Sequence, residues 1–205
     1  MNFLKYISFL LFFATSAFGQ TNWDFSRAVF TGGTAEVNGI SVDQSTGESV
    51  SVGYYQNNTA TIQPLGTPTL ASPGATPDGF VVKTNNLGSV VWSFRIGKLG
   101  GSTICEEIFI DDSGNIYVTG SFTGSSEFQG NSGVSTTLVS NLSSQDAFVA
   151  KYDNAGNLIW AEKMGDSGSE SFNSIHVSNN AVYVTGFFDS FSLMGVLNTG
   201  STDGM

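Results

Sequence analysis

The chain repeats itself, and that repetition limits what it can fold into more than any other feature. Trp23, Trp92 and Trp160 stand 69 and 68 residues apart, and the glycines Gly53, Gly120 and Gly186 follow at spacings of 67 and 66. Three segments align on them: "WDFSRAVFTGGTAEVNGISVDQSTGESVSVGYY" from Trp23, "WSFRIGKLGGSTICEEIFIDDSGNIYVTGSF" from Trp92, and "WAEKMGDSGSESFNSIHVSNNAVYVTGFF" from Trp160. A second block precedes two of the tryptophans, as "DGFVVKTNNLGSVVW" from Asp78 and "DAFVAKYDNAGNLIW" from Asp146, and it begins again at Asp203-Gly-Met205. A period of this size signals stacked supersecondary units, none of which can bury its faces alone.

Each unit predicts four short strands. Ile108–Asp111 and Ile116–Ser121 are β-branched and aromatic, and the Asp-Ser-Gly-Asn cluster between them predicts a hairpin. Phe148–Tyr152 and Leu158–Lys163 predict a second hairpin across Asp153–Asn157. A polar Gly/Ser/Thr-rich connection, 123–145, joins the two hairpins and matches 56–77 one unit earlier. No sustained helical period, capping box or heptad interrupts this pattern. The expected fold class is all-β: a β-propeller of four-stranded antiparallel blades, partial, with about two and a half to three blades present.

The residues also carry a resemblance. The pattern D-(G/A)-F-V-x-K-x-(N/D)-x-x-G-x-x-x-W, followed by (I/V)-x-(I/V)-D-x-S-G-N-x-Y-V-T-G, resembles the bacterial SBBP β-propeller repeat. Asp146, Phe148, Lys151, Gly156, Trp160, Asp111, Gly114, Asn115, Tyr117, Val118, Thr119 and Gly120 stand at the motif positions, and the resemblance covers nearly all of residues 23–205. It implies a secreted or surface-attached propeller, often within a large multidomain protein and mostly without a known activity. The inter-hairpin connections are long for the family, which points to them as carriers of specific binding.

The first residues read as a targeting segment. A short positive start, Met1–Lys5, precedes an apolar core from Ile7 to Ala14, and Ala17-Phe18-Gly19 places small residues before Gln20. Residues 1–19 are therefore expected to be a cleaved signal peptide, with the mature protein secreted, extracellular or at the cell surface and not inserted in a membrane. The expected organisation is 1–19 signal peptide and 20–205 partial propeller. The propeller divides into an N-terminal outer strand at 20–37, a first blade at 38–105, a second at 106–172 and an incomplete third at 173–205. A propeller closes with about four to eight blades. The chain is thus expected to be the N-terminal part of a longer ring, the alternative being a short protein that closes by oligomerising. Its open blade edges favour self-association.

Charge narrows the partners. The sequence has 7 Lys and Arg against 17 Asp and Glu, a net charge of −10, and the basic residues are scattered. Phosphate backbones would be repelled, so nucleic acid is not an expected partner; a protein or glycan ligand is.

The candidate site residues form a short set. Asp111, Ser113 and Asn115 alternate like calcium ligands, but Gly114 comes too early for a calcium loop and no Glu follows at the required spacing. Asp and Asn that bond their own backbone, with Gly at positive φ, account for the stretch as a turn. No cofactor is expected, calcium being the weak alternative. The single cysteine, Cys105, aligns with Val37 and Phe172 and reads as a small buried hydrophobe rather than a nucleophile. His176, the single histidine, aligns with Phe109 and Ser41 on the strand nearest the axis; it is a weak binding candidate, with no second histidine or paired acid to build a triad. Glu106 and Glu107 are the only paired carboxylates before an inner strand. As strand neighbours they are expected to point to opposite faces and so not to act as an acid/base pair, which leaves them as weak candidates to line one mouth of the channel. The recurring tryptophans are expected to pack between blades. Asn57-Asn-Thr59 and Asn141-Leu-Ser143 match glycosylation sequons.

Three function classes follow. The leading one is a non-enzymatic secreted or cell-surface binding or scaffold module, with ligand contact through 56–77 and 123–145. The alternatives are a propeller hydrolase or lyase acting on extracellular polysaccharide, and a purely structural domain presenting a downstream module.

Overall fold

The computed structural model describes residues 9–12, 25–28, 34–57, 60–61, 69–70, 75–141, 144–189 and 197–198. The expected cleavage site at 17–20, Trp23, the recurring Asp203 and parts of both sequons lie outside the described residues. Phe9–Phe12 (β1), from the expected signal core, pairs antiparallel with Phe25–Ala28 (β2).

The first unit contains β3 (Thr34–Val42), β4 (Ser49–Gln56), the short pair β5 (Ala60–Thr61) and β6 (Thr69–Leu70), β7 (Asp78–Thr84) and β8 (Val90–Ile96). The second contains β9 (Ser102–Ile110), β10 (Ile116–Thr123), β11 (Ser125–Gln129), β12 (Ser135–Val139), β13 (Gln145–Tyr152) and β14 (Leu158–Met164). The third contains β15 (Glu170–Ser178), β16 (Ala181–Phe188) and β17 (Leu197–Asn198). Hydrogen bonding orders them as β3-β4-β7-β8, β9-β10-β13-β14 and β15-β16-β17. The first two sets are four-stranded antiparallel blades, and the third is a blade described through three strands.

The long connection 123–145 differs from the polar loop expected. It folds into the hairpin β11–β12, which reaches back to the outermost strand of the preceding blade through Phe128 opposite Ile96 and extends that sheet to six strands. Phe128 supplies the reason. It is fully buried, with its ring edge-on to Phe148 at 4.8 Å, so the insertion has an apolar anchor of its own.

The innermost strands differ too. Each carries a β-bulge at one position: Asn38 in β3, Glu106 in β9 and Asn173 in β15 are the extra residues. These are the starting residues of the blades as divided from sequence, which therefore fall inside the innermost strands. The bulge draws the innermost strand over the neighbouring glycine. A Cβ on Gly53, Gly120 or Gly186 would lie 1.9, 2.0 or 1.7 Å from the carbonyl oxygen of Glu36, Ile104 or Ser171. No larger residue fits there, which explains why the glycine recurs.

Packing between blades makes the core. Val50, Val52 and Val81 from the first blade meet Cys105, Ile108 and Val118 from the second. Tyr117, Ala147 and Val149 on the far face of the second meet Phe172, Ile175 and Val182 of the third. Burying one such isoleucine contributes about 1.5–3 kcal/mol. Trp92 packs as expected between blades: it stacks on Phe94 at 5.4 Å, donates Nε1–H to the Asn154 carbonyl of the next blade at 3.4 Å and covers Gly156. Trp160 sits edge-on to Tyr117 at 6.3 Å beside the third blade.

Candidate functional site

The hairpin bends account for the aspartates. Asp111 Oδ1 accepts from the Ser113 and Asn115 amides at 2.9 and 2.8 Å, and Oδ2 accepts from Asn115 Nδ2 at 2.9 Å and Tyr117 Oη at 3.2 Å. Gly114 takes φ +79°, the left-handed geometry of such a turn. Asp153 makes the same pair of bonds to Asn157, with Gly156 at φ +80°. Both oxygens of Asp111 are engaged in holding the bend, and Ser113 faces solvent.

The bulges gather the acidic residues differently from a regular strand. Adjacent residues on a regular strand point to opposite faces, but an extra residue re-aims one of them. Glu106 and Glu107 both approach β3. Glu106 Oε2 accepts from Asn38 Nδ2 at 3.3 Å, and the same amide donates to the Cys105 carbonyl at 2.9 Å. Glu107 lies over Gly39, where an added Cβ would come 2.8 Å from its Oε1, and that oxygen accepts from the Ile108 amide at 2.9 Å. Glu36 lies nearby and accepts from Tyr54 Oη at 2.8 Å. Burial, with the charge of Glu36 second, raises the Glu106 carboxyl above its usual value; the hydrogen bond to Glu36, with burial second, raises Tyr54. Ser41 Oγ accepts from the Ile110 amide at 3.2 Å. Asn38, Ser41 and Glu106 thus join β3 to β9, whereas Glu36 is held by Tyr54 of its own blade and Glu107 by the next amide of its own strand.

His176 is exposed on β15, with its ring edge-on to Phe109 at 4.9 Å, and it is not brought together with Glu106 or Glu107 into one contact. Cys105 is fully buried within β9 against Gly79, and burial pushes its thiol far up, away from the thiolate.

A buried charge clamp was not singled out from sequence. Asp146 is fully buried; Lys163 Nζ donates to its Oδ2 at 2.8 Å, the Asn141 amide at 3.1 Å, and the Ser144 hydroxyl lies 3.0 Å from Oδ1. Asn141 Nδ2 donates to the Gly165 carbonyl at 2.7 Å, so the clamp ties the end of the insertion to the loop entering the next blade. The first blade has the same pair, Asp78 with Arg95, but held less tightly. Arg95 Nη1 is 3.5 Å from Asp78 Oδ2, and neither carboxylate oxygen has a hydrogen-bond partner among the described residues. Burial raises Asp78 to about 7, against the opposing pull of Arg95. The signal was present in the sequence: in both repeats an aspartate is followed 17 positions later by a cation.

Comparison with known proteins agrees with the fold. Residues 91–125 match the SBBP beta-propeller repeat. Over 113 residues, 54% of this chain, the sequence is 32% identical to an uncharacterized WD repeat-containing protein of Acanthamoeba polyphaga mimivirus. The match covers 8% of that protein's length, so the chain corresponds to a small part of it.

Proposed function

Taking as premise a repeat module of the SBBP beta-propeller family, we propose that the chain is a non-enzymatic binding or scaffold module working outside the cell. The observation that supports this most is the hairpin β11–β12. Its outer strand ends a six-stranded sheet, with Ser135, Thr136, Thr137 and Val139 exposed and Val134 beside them. An exposed strand edge offers unpaired backbone groups, and its Ser, Thr and Val side chains suit an extended protein segment or a glycan. The inner-strand groups Asn38, Ser41 and Glu106, by contrast, bond between blades, which is the arrangement of a scaffold. The N-terminal apolar segment supports export. Cleavage is tested by mass spectrometry of the protein made with its own N-terminus in a bacterial host: loss of residues 1–19 fits, and an intact Met1 in the exported fraction refutes it.

The binding role is tested by probing a glycan array with the full chain and assaying release of reducing ends from the same sugars. Binding without turnover, weakened by Val134→Asp and Val139→Asp, is the expected result. Turnover abolished by Glu106→Gln or His176→Ala would overturn the proposal in favour of an enzyme.

A further inference from the structure

Lys83 carries an amine into an apolar place between two blades. It lies on β7 opposite Val50 of β4 and Trp92 of β8, so its stem shares a face with both. Only 4% of the residue is exposed, and a charge buried this deep needs partners. Glu48 Oε2 lies 2.7 Å from Nζ. Asn154 Oδ1, from the β13–β14 turn of the next blade, lies 2.5 Å from it, and the Asn154 backbone carbonyl accepts at 3.4 Å. Asn154 is itself held in place. Trp92 Nε1 donates to its carbonyl, and its Cγ lies over Gly114, 3.4 Å from where a Cβ would stand.

The next repeat builds its lysine differently. Lys151 Nζ lies 5.1 Å from the centre of the Tyr117 ring, and the position of Glu48 is taken by Asn115, whose amide donates to Asp111. Lys163, Asn141 and Asp146 also meet, but there the lysine side chain is 29% exposed and Asn141 Nδ2 is held by the Gly165 carbonyl. Among the described residues, a lysine buried to this depth meets both a carboxylate and a carboxamide at Lys83 alone.

We propose that Lys83 and Asn154 join in an intramolecular isopeptide bond, with Glu48 as the proton carrier, which ties the first blade to the second. A carboxamide C=O bond is about 1.23 Å long, so Asn154 Cγ stands within about 3.7 Å of Nζ, close to attacking distance. A buried ion pair costs more desolvation than the neutral amine and acid, and the Nζ proton passes to Glu48 Oε2 along their hydrogen bond. The freed lone pair attacks Cγ; the N–C bond forms and the carbonyl opens to a tetrahedral oxyanion. Glu48 hands its proton to Nδ2 and takes another from Nζ as the carbonyl re-forms and the Cγ–Nδ2 bond breaks. Ammonia leaves by the exposed side of Asn154 and takes up that last proton, which returns Glu48 to the carboxylate. One amide replaces another, ammonium is released, and no oxidant or cofactor is consumed.

The test is peptide mapping by mass spectrometry of the full chain, sampled over time after cell-free synthesis. Wild type is expected to accumulate one branched peptide that joins Lys83 to Asn154 and is lighter by one ammonia than its two parts. Lys83→Arg, which keeps the charge and forms no such amide, should lack it. Glu48→Gln should form it about a hundredfold more slowly or worse, with the far-ultraviolet spectrum of wild type. Unlinked Lys83 and Asn154 peptides throughout the folded wild type would overturn the proposal, as would a wild-type rate in Glu48→Gln. So would loss of ammonia without a branch, the mark of a succinimide or a cyclised glutamine, or a branch joining Lys163 to Asn141 instead. Should Glu48→Gln misfold, the wild-type map decides by itself.

Discussion

Asp78→Asn should make the protein more stable at alkaline pH. Asp78 and Asp146 occupy one position in successive repeats, and both are fully buried. Asp146 is met by Lys163, the Asn141 amide and the Ser144 hydroxyl. Among the described residues Asp78 is met by Arg95 alone, at 3.5 Å, and burial raises it from 3.8 to about 7. Below pH 3.8 the carboxyl is neutral in both folded and unfolded chains and contributes no difference. Between there and about 7 the unfolded chain releases the proton while the folded chain keeps it, so stability falls as pH rises. Above about 7 the loss is complete. Carried through in full, that difference corresponds to about 4 kcal/mol. Arg95 is 24% exposed and lets solvent screen the site, so we expect about half of it, roughly 2 kcal/mol.

The assay is urea unfolding followed by tryptophan fluorescence near pH 4 and pH 8, for wild type, Asp78→Asn and Asp146→Asn. Other carboxylates titrate equally in wild type and Asp78→Asn, so the difference between these two isolates one group. It should be near zero at the lower pH and about 2 kcal/mol in favour of Asn at the higher. Asp146→Asn should move the other way, losing about 1.5–3 kcal/mol at pH 8 as Lys163 gives up its charged partner. If Asp78→Asn destabilises the protein at pH 8 as Asp146→Asn does, then Asp78 is ionised and firmly paired in the folded chain, and the reasoning fails.

Three further outcomes are expected. Gly120→Ala, whose new Cβ would sit 2.0 Å from the Ile104 carbonyl, should leave little folded protein by circular dichroism; a native melting curve would show that the bulge can relax away from the glycine. Trp92→Ala should cost about 3–5 kcal/mol in urea unfolding, and Trp92→Phe, which keeps the stacking on Phe94 and loses the bond to Asn154, about 1 kcal/mol; equal losses would place its contribution in the hydrogen bond. Asp111→Ala should lower the melting temperature, while millimolar calcium should leave the wild-type value unchanged because both Asp111 oxygens already hold the turn; a rise with calcium would restore the metal reading.

Much of the blade was legible because its local signals agree. Asp111 and Gly114 sit between two apolar runs, and only a tight turn satisfies a self-bonding aspartate followed by a residue at positive φ. The insertion was less legible because one residue decides its course. In "SSEFQGNSGVSTTLV" the Ser and Thr content reads as loop, yet Phe128 and Leu138 fall on paired strands across a Gly-Asn-Ser-Gly bend, and burial of Phe128 turns the segment back onto the preceding blade. The inner strands hold the subtler lesson. Cys105 and Ile108 are three positions apart, and a regular strand would point them to opposite faces. Both are buried in one interface, as are Phe172 and Ile175 in the next. An odd spacing between residues on one face requires one residue too many between them, which is the bulge at Glu106 and Asn173. The same extra residue turns Glu106 toward Asn38 and carries the strand over Gly120, so a single insertion per repeat accounts for the acidic pair, the glycine and the apolar insert together.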